Sequence, residues 1–188
     1  SPSGLTSWGR GDWVPVKSHS SKELTSSVYF YVDTKILANA AKLFNKQEDY
    51  KHYQALAEKI RQAINDKYLN RETGIYASGV QTELSVPLMW GIVPKDMKAK
   101  VARNLAKKVE EAGFNLDVGV LGAKAILNAL SENGEAETAY KVAAQDTYPS
   151  WGCWIANGAT TLLENWDLTA TRDISDNHMM FGEIGGWF

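Results

Sequence analysis

Apolar residues recur every three or four positions along most of this chain, and this spacing is the strongest constraint on its fold. The apolar positions between Lys22 and Phe44 fall on one face of a helix, as do those between Gln47 and Leu69. About three residues separate the two segments, so we expect an antiparallel helical hairpin. The glycine-containing loop that follows predicts a turn, with a short β-strand at Gly74–Ala77.

The same periodicity predicts five further helices and a last short one near Asp176 or Asn177. The five cover roughly Gln81–Val93, a segment that starts near Pro94 and ends at Gly113, Val118–Ser131, Glu135–Ala144 and Cys153–Leu163. Helices with one charged face alternate with more apolar ones, which fits a ring of hairpins with an inner and an outer layer. We therefore predict an all-α fold that forms part of an α/α toroid. An irregular helical bundle stays open as the alternative.

Composition and charge exclude several classes of protein. A length of 188 residues with 44% hydrophobic residues fits one globular domain over the whole chain. Acidic and basic residues are interspersed and the net charge is −2, so no nucleic-acid partner is expected. No apolar run is long enough to span a membrane. The single cysteine, Cys153, permits no internal disulfide and leaves the compartment open. No histidine pair has metal-ligand spacing and no nucleotide-binding motif occurs, so no cofactor is expected.

The segment Tyr148–Trp166, YPSWGCWIANGATTLLENW, carries the strongest functional signal. It combines three tryptophans with one carboxylate, Glu164, and aromatic faces beside an acid are typical of a carbohydrate site. Glu164 is expected at the end of the seventh helix, where apolar neighbours would desolvate it and raise its pKa. The alternative is a solvated acid at a helix end.

Two other segments contain candidate binding residues. In the opening loop, WGRGDW, Trp13 would present its ring to a sugar and Asp12 would accept sugar hydroxyls. An aromatic anchor that holds the loop on the core is the alternative. His178 lies in SDNHMMFGEIGGW, where a structural histidine is the alternative. Thr82 and Trp90 are weaker candidates, and an N-cap role stays open for Asp117. The main candidates from the residues alone are Glu164, Asp12, Trp13 and His178.

Taken together, GDW, YPSWGCWIANGATTLLENWD and DNHMMFGEIGGW resemble the C-terminal half of the catalytic domain of bacterial α-L-rhamnosidases of glycoside hydrolase family 78. The resemblance covers essentially the whole chain. It implies an (α/α)6 toroid that hydrolyses terminal α-L-rhamnose with inversion, using an acid and a base on opposite faces of the sugar. By motif position, Glu164 would be the general base. Trp13 and His178 would contact the sugar, with Asp12 and Trp151 as neighbours.

One expected motif is absent. The family's general acid lies in a DCPxRE-type motif upstream of GDW, and this chain has none. The chain is therefore expected to be the C-terminal portion of a toroid whose remainder supplies the acid. Its partners would be a rhamnose-containing glycoside or polysaccharide and the rest of the parent domain. A cut toroid exposes apolar helix faces, which predicts association with that remainder or a homodimer.

Two other functions stay open: a non-catalytic carbohydrate-binding or scaffold domain, and a toroid hydrolase of another sugar. For the latter, Arg10 is the candidate to recognise a uronate. The compartment also stays open, and a periplasmic or extracellular parent is compatible with the family's plant-derived substrates.

Overall fold

A computed structural model describes residues 3–188. Its helices are α1 (Lys22–Leu43), α2 (Gln47–Tyr68), α3 (Gln81–Met89), α4 (Lys98–Glu111), α5 (Val120–Ser131), α6 (Ala136–Ala143), α7 (Trp151–Ala156) and α8 (Glu183–Trp187). Single 3₁₀ turns occur at Lys95–Met97 and Met179–Phe181. Strands β1 (Leu69–Asn70) and β2 (Ile75–Tyr76) pair antiparallel in the predicted turn. The predicted all-α class is confirmed.

The helices form hairpins, as the short connections predict. Helix α1 packs on α2, α3 on α4 and α5 on α6, while α3 also packs broadly on α5. Local capping defines where α1 begins, because the Ser21 hydroxyl accepts a hydrogen bond from the Leu24 N–H. The hairpins place α1, α3 and α5 side by side, with α2, α4 and α6 as their charged outer partners.

Burial follows this inner and outer arrangement. Helix α3 is buried along almost its whole length, whereas α2 buries only three residues, Ala57, Ile60 and Ile64. Helix α4 is amphipathic and buries an apolar stripe that includes Val101, Leu105 and Val109. The alternation of charged and apolar helices therefore predicted the layer that each helix occupies.

Two helices end earlier than the periodicity predicts. Helix α3 stops at Met89 rather than Val93, just before Gly91 adopts a left-handed φ of +70°. Helix α7 stops at Ala156 rather than Leu163, because the chain turns at Gly158 with φ +87°. Glu164 therefore lies in an irregular segment beyond the helix, which corrects the prediction that it sits at the helix end. Asp117 does not cap α5, whose N-cap is Gly119.

Negative findings apply to residues 3–188 alone. No helix there has the length and apolar character that a membrane span requires. Within the same range, no group of three His, Cys, Asp or Glu side chains is arranged to hold a metal ion. Cys153 is buried as a free thiol.

Candidate functional site

The Glu164 carboxylate lies where three distant parts of the chain meet. The Trp13 indole N–H donates to its Oε1 at 3.1 Å, and the Ser175 backbone N–H donates to its Oε2 at 3.2 Å. His178 Nδ1 stands 3.8 Å from Oε2. The fold thus joins Trp13, Glu164 and His178, three of the residues proposed from sequence.

Two irregular segments, residues 161–164 and 175–178, bring His178 to Glu164. They run antiparallel, with the Glu164 N–H bonded to Ser175 O at 2.9 Å and the His178 N–H to Leu162 O at 2.7 Å. The Thr161 hydroxyl also donates to the Asp176 carbonyl. Ser175 was not foreseen, because it lies in a polar stretch without periodicity and contributes only a backbone group.

The surroundings of Glu164 keep it ionised. The Trp13 hydrogen bond lowers the pKa of Glu164 most, and the Ser175 N–H and the charge of His178 lower it further, against a desolvation that raises it. The side chain is 17% exposed, so water reaches it. The pKa is therefore lowered and not raised, which corrects the sequence expectation.

Glu164 opens into a cavity of about 260 Å³ formed by the loop that follows α7. Leu163, Leu168 and Ile174 supply apolar wall, and Asp167 and Asp176 supply further carboxylates. Asp167 accepts from the Thr169 hydroxyl and N–H, and these bonds lower its pKa. Asp167 is thus an ionised group and not a proton donor near neutral pH.

A larger cavity lies far from this chemistry. It measures about 530 Å³ and is lined by residues of α1 and α2, including Tyr31, Lys35 and Glu58. Glu58 is already paired with Arg61 at 2.6 Å, and the other lining residues are alanines, amides, lysines and tyrosines. Since size alone does not make a reactive site, the Glu164 cavity is the better candidate.

Trp151 belongs to an aromatic cluster beneath Glu164, which we define as Trp151, Trp154, Trp166 and Phe181. Trp154 and Trp166 stack with ring centroids 4.6 Å apart, and Trp151 meets Trp166 edge-on at 5.5 Å. Trp151 is 5% exposed and its indole N–H donates to the Phe181 carbonyl. Its burial corrects the expectation that it contacts sugar, because both its face and its N–H are occupied by protein.

Asp12 is also buried, at 8% exposure. Its carboxylate accepts from the Thr82 hydroxyl and from the N–H groups of Gly119, Leu121 and Gly122. Burial raises the pKa of Asp12, while these four donors lower it in part. With its oxygens engaged in this way, Asp12 does not face the cavity as a sugar acceptor, which corrects that expectation.

Comparison with known proteins identifies the family. The family model described as the bacterial alpha-L-rhamnosidase 6 hairpin glycosidase domain matches residues 1–188. The chain belongs to this family. The resemblance seen in the sequence is thereby confirmed, and so is the assignment of its hairpins to a helical toroid.

Individual relatives agree with this assignment. A curated α-L-rhamnosidase from Streptomyces avermitilis is 29% identical over 95% of this chain, and one from Formosa agariphila is 28% identical over 91%. The chain spans about a fifth of these proteins, 18% and 19% of their lengths.

Solved structures show the same fold. The α-L-rhamnosidase from Dictyoglumus thermophilum superposes with a TM-score of 0.91 at 39% identity, covering 100% of this chain and 22% of that protein. The Streptomyces avermitilis α-L-rhamnosidase, solved in complex with L-rhamnose, has a TM-score of 0.91 at 29% identity, covering 100% and 19%. The whole of this chain therefore superposes on about a fifth of each solved structure.

Proposed function

We propose that the protein carrying this domain is an α-L-rhamnosidase and that this chain supplies its general base, Glu164. The observation that carries the proposal is the hydrogen bond from Trp13 to Glu164, which joins the opening loop to the segment after α7 in a glycoside hydrolase fold. A general base must be ionised to accept a proton, and the lowered pKa of Glu164 meets that requirement.

In the proposed mechanism, Glu164 removes a proton from the water that attacks the anomeric carbon. The Trp13 N–H and the Ser175 N–H each occupy one acceptor site on a different oxygen and so orient the carboxylate, and its remaining acceptor sites can meet the water. We assign the binding of a sugar hydroxyl to His178, whose Nδ1 lies 3.8 Å from Glu164 Oε2. Trp13 offers an apolar ring face for the C–H groups of the sugar.

Inversion requires a second carboxyl group, on the order of 6.5–9.5 Å from the first, to protonate the leaving oxygen. Asp167 in the same cavity is unsuited, because its lowered pKa makes it a poor acid. Because the motif that would carry the acid is also missing from residues 1–188, we assign the acid to the remainder of the parent domain. Residues 1–188 would then be one part of a single catalytic domain.

Exposed apolar side chains support the association of this chain with the remainder of the parent domain. Trp8 is 90% exposed, and on α1 Ile36 and Leu37 are 59% and 48% exposed. Phe44, which follows α1, is 71% exposed. Because soluble proteins seldom leave such clusters open, we propose that further hairpins of the six-hairpin domain cover them. Sedimentation of the isolated chain should show association, and a monodisperse monomer would count against an incomplete toroid.

The stereochemistry of the first product tests the mechanism. Proton NMR of the full-length protein acting on an aryl α-L-rhamnoside should show β-L-rhamnose first, followed by slow mutarotation. If α-L-rhamnose appears first, the reaction retains configuration and Glu164 is not the base of an inverting enzyme. If folded protein binds L-rhamnose without hydrolysing the glycoside, the carbohydrate-binding alternative replaces the enzyme.

One contact favours a different sugar. The Arg10 guanidinium lies 5.2 Å from the centroid of the Trp13 ring, where a cation would pair with a sugar carboxylate. A panel of aryl glycosides that includes uronides separates the two specificities. Rhamnoside hydrolysis well above uronide hydrolysis supports the main proposal, and the reverse order supports a uronidase.

A further inference from the structure

The buried carboxylate of Asp12 accepts four hydrogen bonds. The backbone N–H groups of Gly119, Leu121 and Gly122 reach it at 2.7, 2.8 and 3.3 Å, and the Thr82 hydroxyl on α3 is the fourth donor. The first turn of α5 has N–H groups that lack partners within the helix, and Asp12 satisfies them. One side chain therefore connects the opening loop to both α3 and α5.

The opening loop also lies in direct contact with the backbone of α5. A Cβ on Gly119 would lie 2.1 Å from the Trp13 carbonyl oxygen, and one on Gly122 would lie 2.3 Å from Thr82 Oγ1. Real Cβ contacts are not this short, so glycine at 119 lets the opening loop approach α5, and glycine at 122 lets Thr82 of α3 approach it. This close packing is independent of the hydrogen bonds and places the same residues together.

The backbone around Trp13 is therefore fixed by the contacts of Asp12 before it and by its own carbonyl group after it. Its carbonyl accepts from the Val120 N–H at 2.9 Å, and the next residue, Val14, has a φ of +55°, which is strained for a β-branched residue. From this fixed backbone the indole reaches Glu164 at 3.1 Å. A shift of the loop would thus move the Trp13 N–H away from the carboxylate.

We propose that Asp12 is a positioning residue, which fixes the loop on the N-terminus of α5 so that Trp13 orients Glu164. The predicted effect of Asp12 on the reaction rests on the proposed function. The structural claim concerns only the orientation and the proton affinity of Glu164. Asp12 acts through Trp13 and touches no substrate.

The chain supplies a matched control in Glu83 on α3. This carboxylate is 2% exposed and also accepts four hydrogen bonds, from the N–H groups of Ser21, Ser78 and Gly79 and from the Ser78 hydroxyl. These partners lie at the start of α1 and in the turn before α3, and none of them contacts Trp13. Neutralising Glu83 should therefore lower stability without reaching the site.

The charged groups around Glu164 stay in place in these variants. His178 faces one carboxylate oxygen, Asp167 and Asp176 line the same cavity, and Arg10 lies against the ring of Trp13. None of the four is replaced, and Gly119→Ala also keeps Asp12, so a change in the titration of Glu164 in Gly119→Ala reports on the position of Trp13.

The test compares Asp12→Asn, Gly119→Ala and Glu83→Gln in the full-length protein. The pH dependence of kcat/KM for an aryl α-L-rhamnoside has an acid limb that reports the ionisation of the general base. Asp12→Asn should move this limb to higher pH and lower kcat by roughly 10- to 100-fold with little change in KM. Gly119→Ala should act in the same direction, because its methyl group displaces the Trp13 carbonyl without altering any charge.

Glu83→Gln should lower the melting temperature and leave the acid limb in place. The proposal is overturned if Asp12→Asn and Gly119→Ala lose stability, as Glu83→Gln does, while their acid limb matches that of the wild type. If Asp12→Asn does not fold, Gly119→Ala decides by the same criterion. If the wild type is inert on rhamnosides, the proposed function fails separately. The positioning claim is then decided by carbon-13 NMR titration of the Glu164 carboxyl group, whose pKa must rise in Gly119→Ala.

Discussion

Replacing Trp166 by phenylalanine tests whether the aromatic cluster anchors the segment that carries Glu164. Trp166 is 1% exposed and lies two residues beyond Glu164. Its ring packs on Trp154 and on Phe181, with centroids 4.6 and 4.9 Å away. Its indole N–H donates to the carbonyl of buried Val118 at 2.7 Å. Phenylalanine keeps one six-membered ring and removes both the second ring and the donor.

The expected loss of stability has two parts. The smaller ring gives up roughly 40 Å² of buried apolar surface, about 1 kcal/mol, and leaves a cavity. The Val118 carbonyl loses its donor in a buried place, which costs about 1–3 kcal/mol. Together we expect a decrease of about 2–4 kcal/mol in the free energy of unfolding. At this chain length each kcal/mol corresponds to roughly 2–4 °C, so Tm should fall by about 4–16 °C.

The assay is urea and thermal unfolding of the chain, with Trp187→Phe as the matched control. Trp187 also donates its indole N–H, to the Ser131 hydroxyl at 2.8 Å, but both residues are only partly buried. Water can replace that donor, so we expect the control to cost about 1 kcal/mol or less. Equal losses in the two variants, or no loss in Trp166→Phe, would refute the view that the cluster anchors this segment.

Three further substitutions probe other parts of the account. Trp13→Phe keeps the ring and removes the donor that does most to lower the pKa of Glu164. That pKa should therefore rise, and the acid limb of the pH–rate profile should move to higher pH; an unchanged limb would rule out this donor as the cause. Ser150→Ala removes the hydroxyl that accepts the Cys153 N–H at 3.0 Å at the start of α7, and should lower unfolding free energy in urea by about 1–2 kcal/mol. Leu105→Ala on α4, fully buried, should cost about 2–5 kcal/mol in the same assay; a smaller loss would contradict the assigned core face of α4.

The free energy of unfolding should depend on pH, because the pKa of Glu164 changes on folding. The pKa of Glu164 is lower in the folded protein than in the unfolded chain. Its contribution to stability is therefore fully present above the unfolded pKa and is lost as the pH falls through the folded pKa. In Trp13→Phe the folded pKa should lie closer to the unfolded one, so this contribution should be smaller and its loss complete at a higher pH.

The hairpins were predictable because their information is local. Helices α1 and α2 carry apolar residues at helical spacing, and the connection between them is too short for anything but an antiparallel pair. The end of α7 was not predictable in the same way. The segment GATTLLEN has the spacing of a helical continuation, but the turn at Gly158 ends the helix. The residues that follow instead form hydrogen bonds with the segment near Ser175. Those contacts are tertiary and leave no periodic signal.

The sequence predicts which residues lie near Glu164 better than it predicts the role of each residue. Three residues named from the motifs, Glu164, Trp13 and His178, lie next to one another in the structure. Buried and exposed tryptophans look alike in sequence, so Trp151 was taken for a sugar contact although it lies in the core. The burial of Asp12 depends on the approach of a loop to α5 from more than 100 positions away along the chain, and no local pattern encodes that.

The most direct test of the central claim is the rate of aryl α-L-rhamnoside hydrolysis by the full-length protein and its Glu164→Gln variant. Glu137→Gln, an exposed glutamate on α6, is the control for loss of a carboxylate. General-base catalysis predicts that Glu164→Gln loses a factor on the order of 10² to 10⁴ in kcat while the control keeps wild-type activity. A folded Glu164→Gln variant with wild-type kcat would show that Glu164 is a structural residue and that the base lies elsewhere.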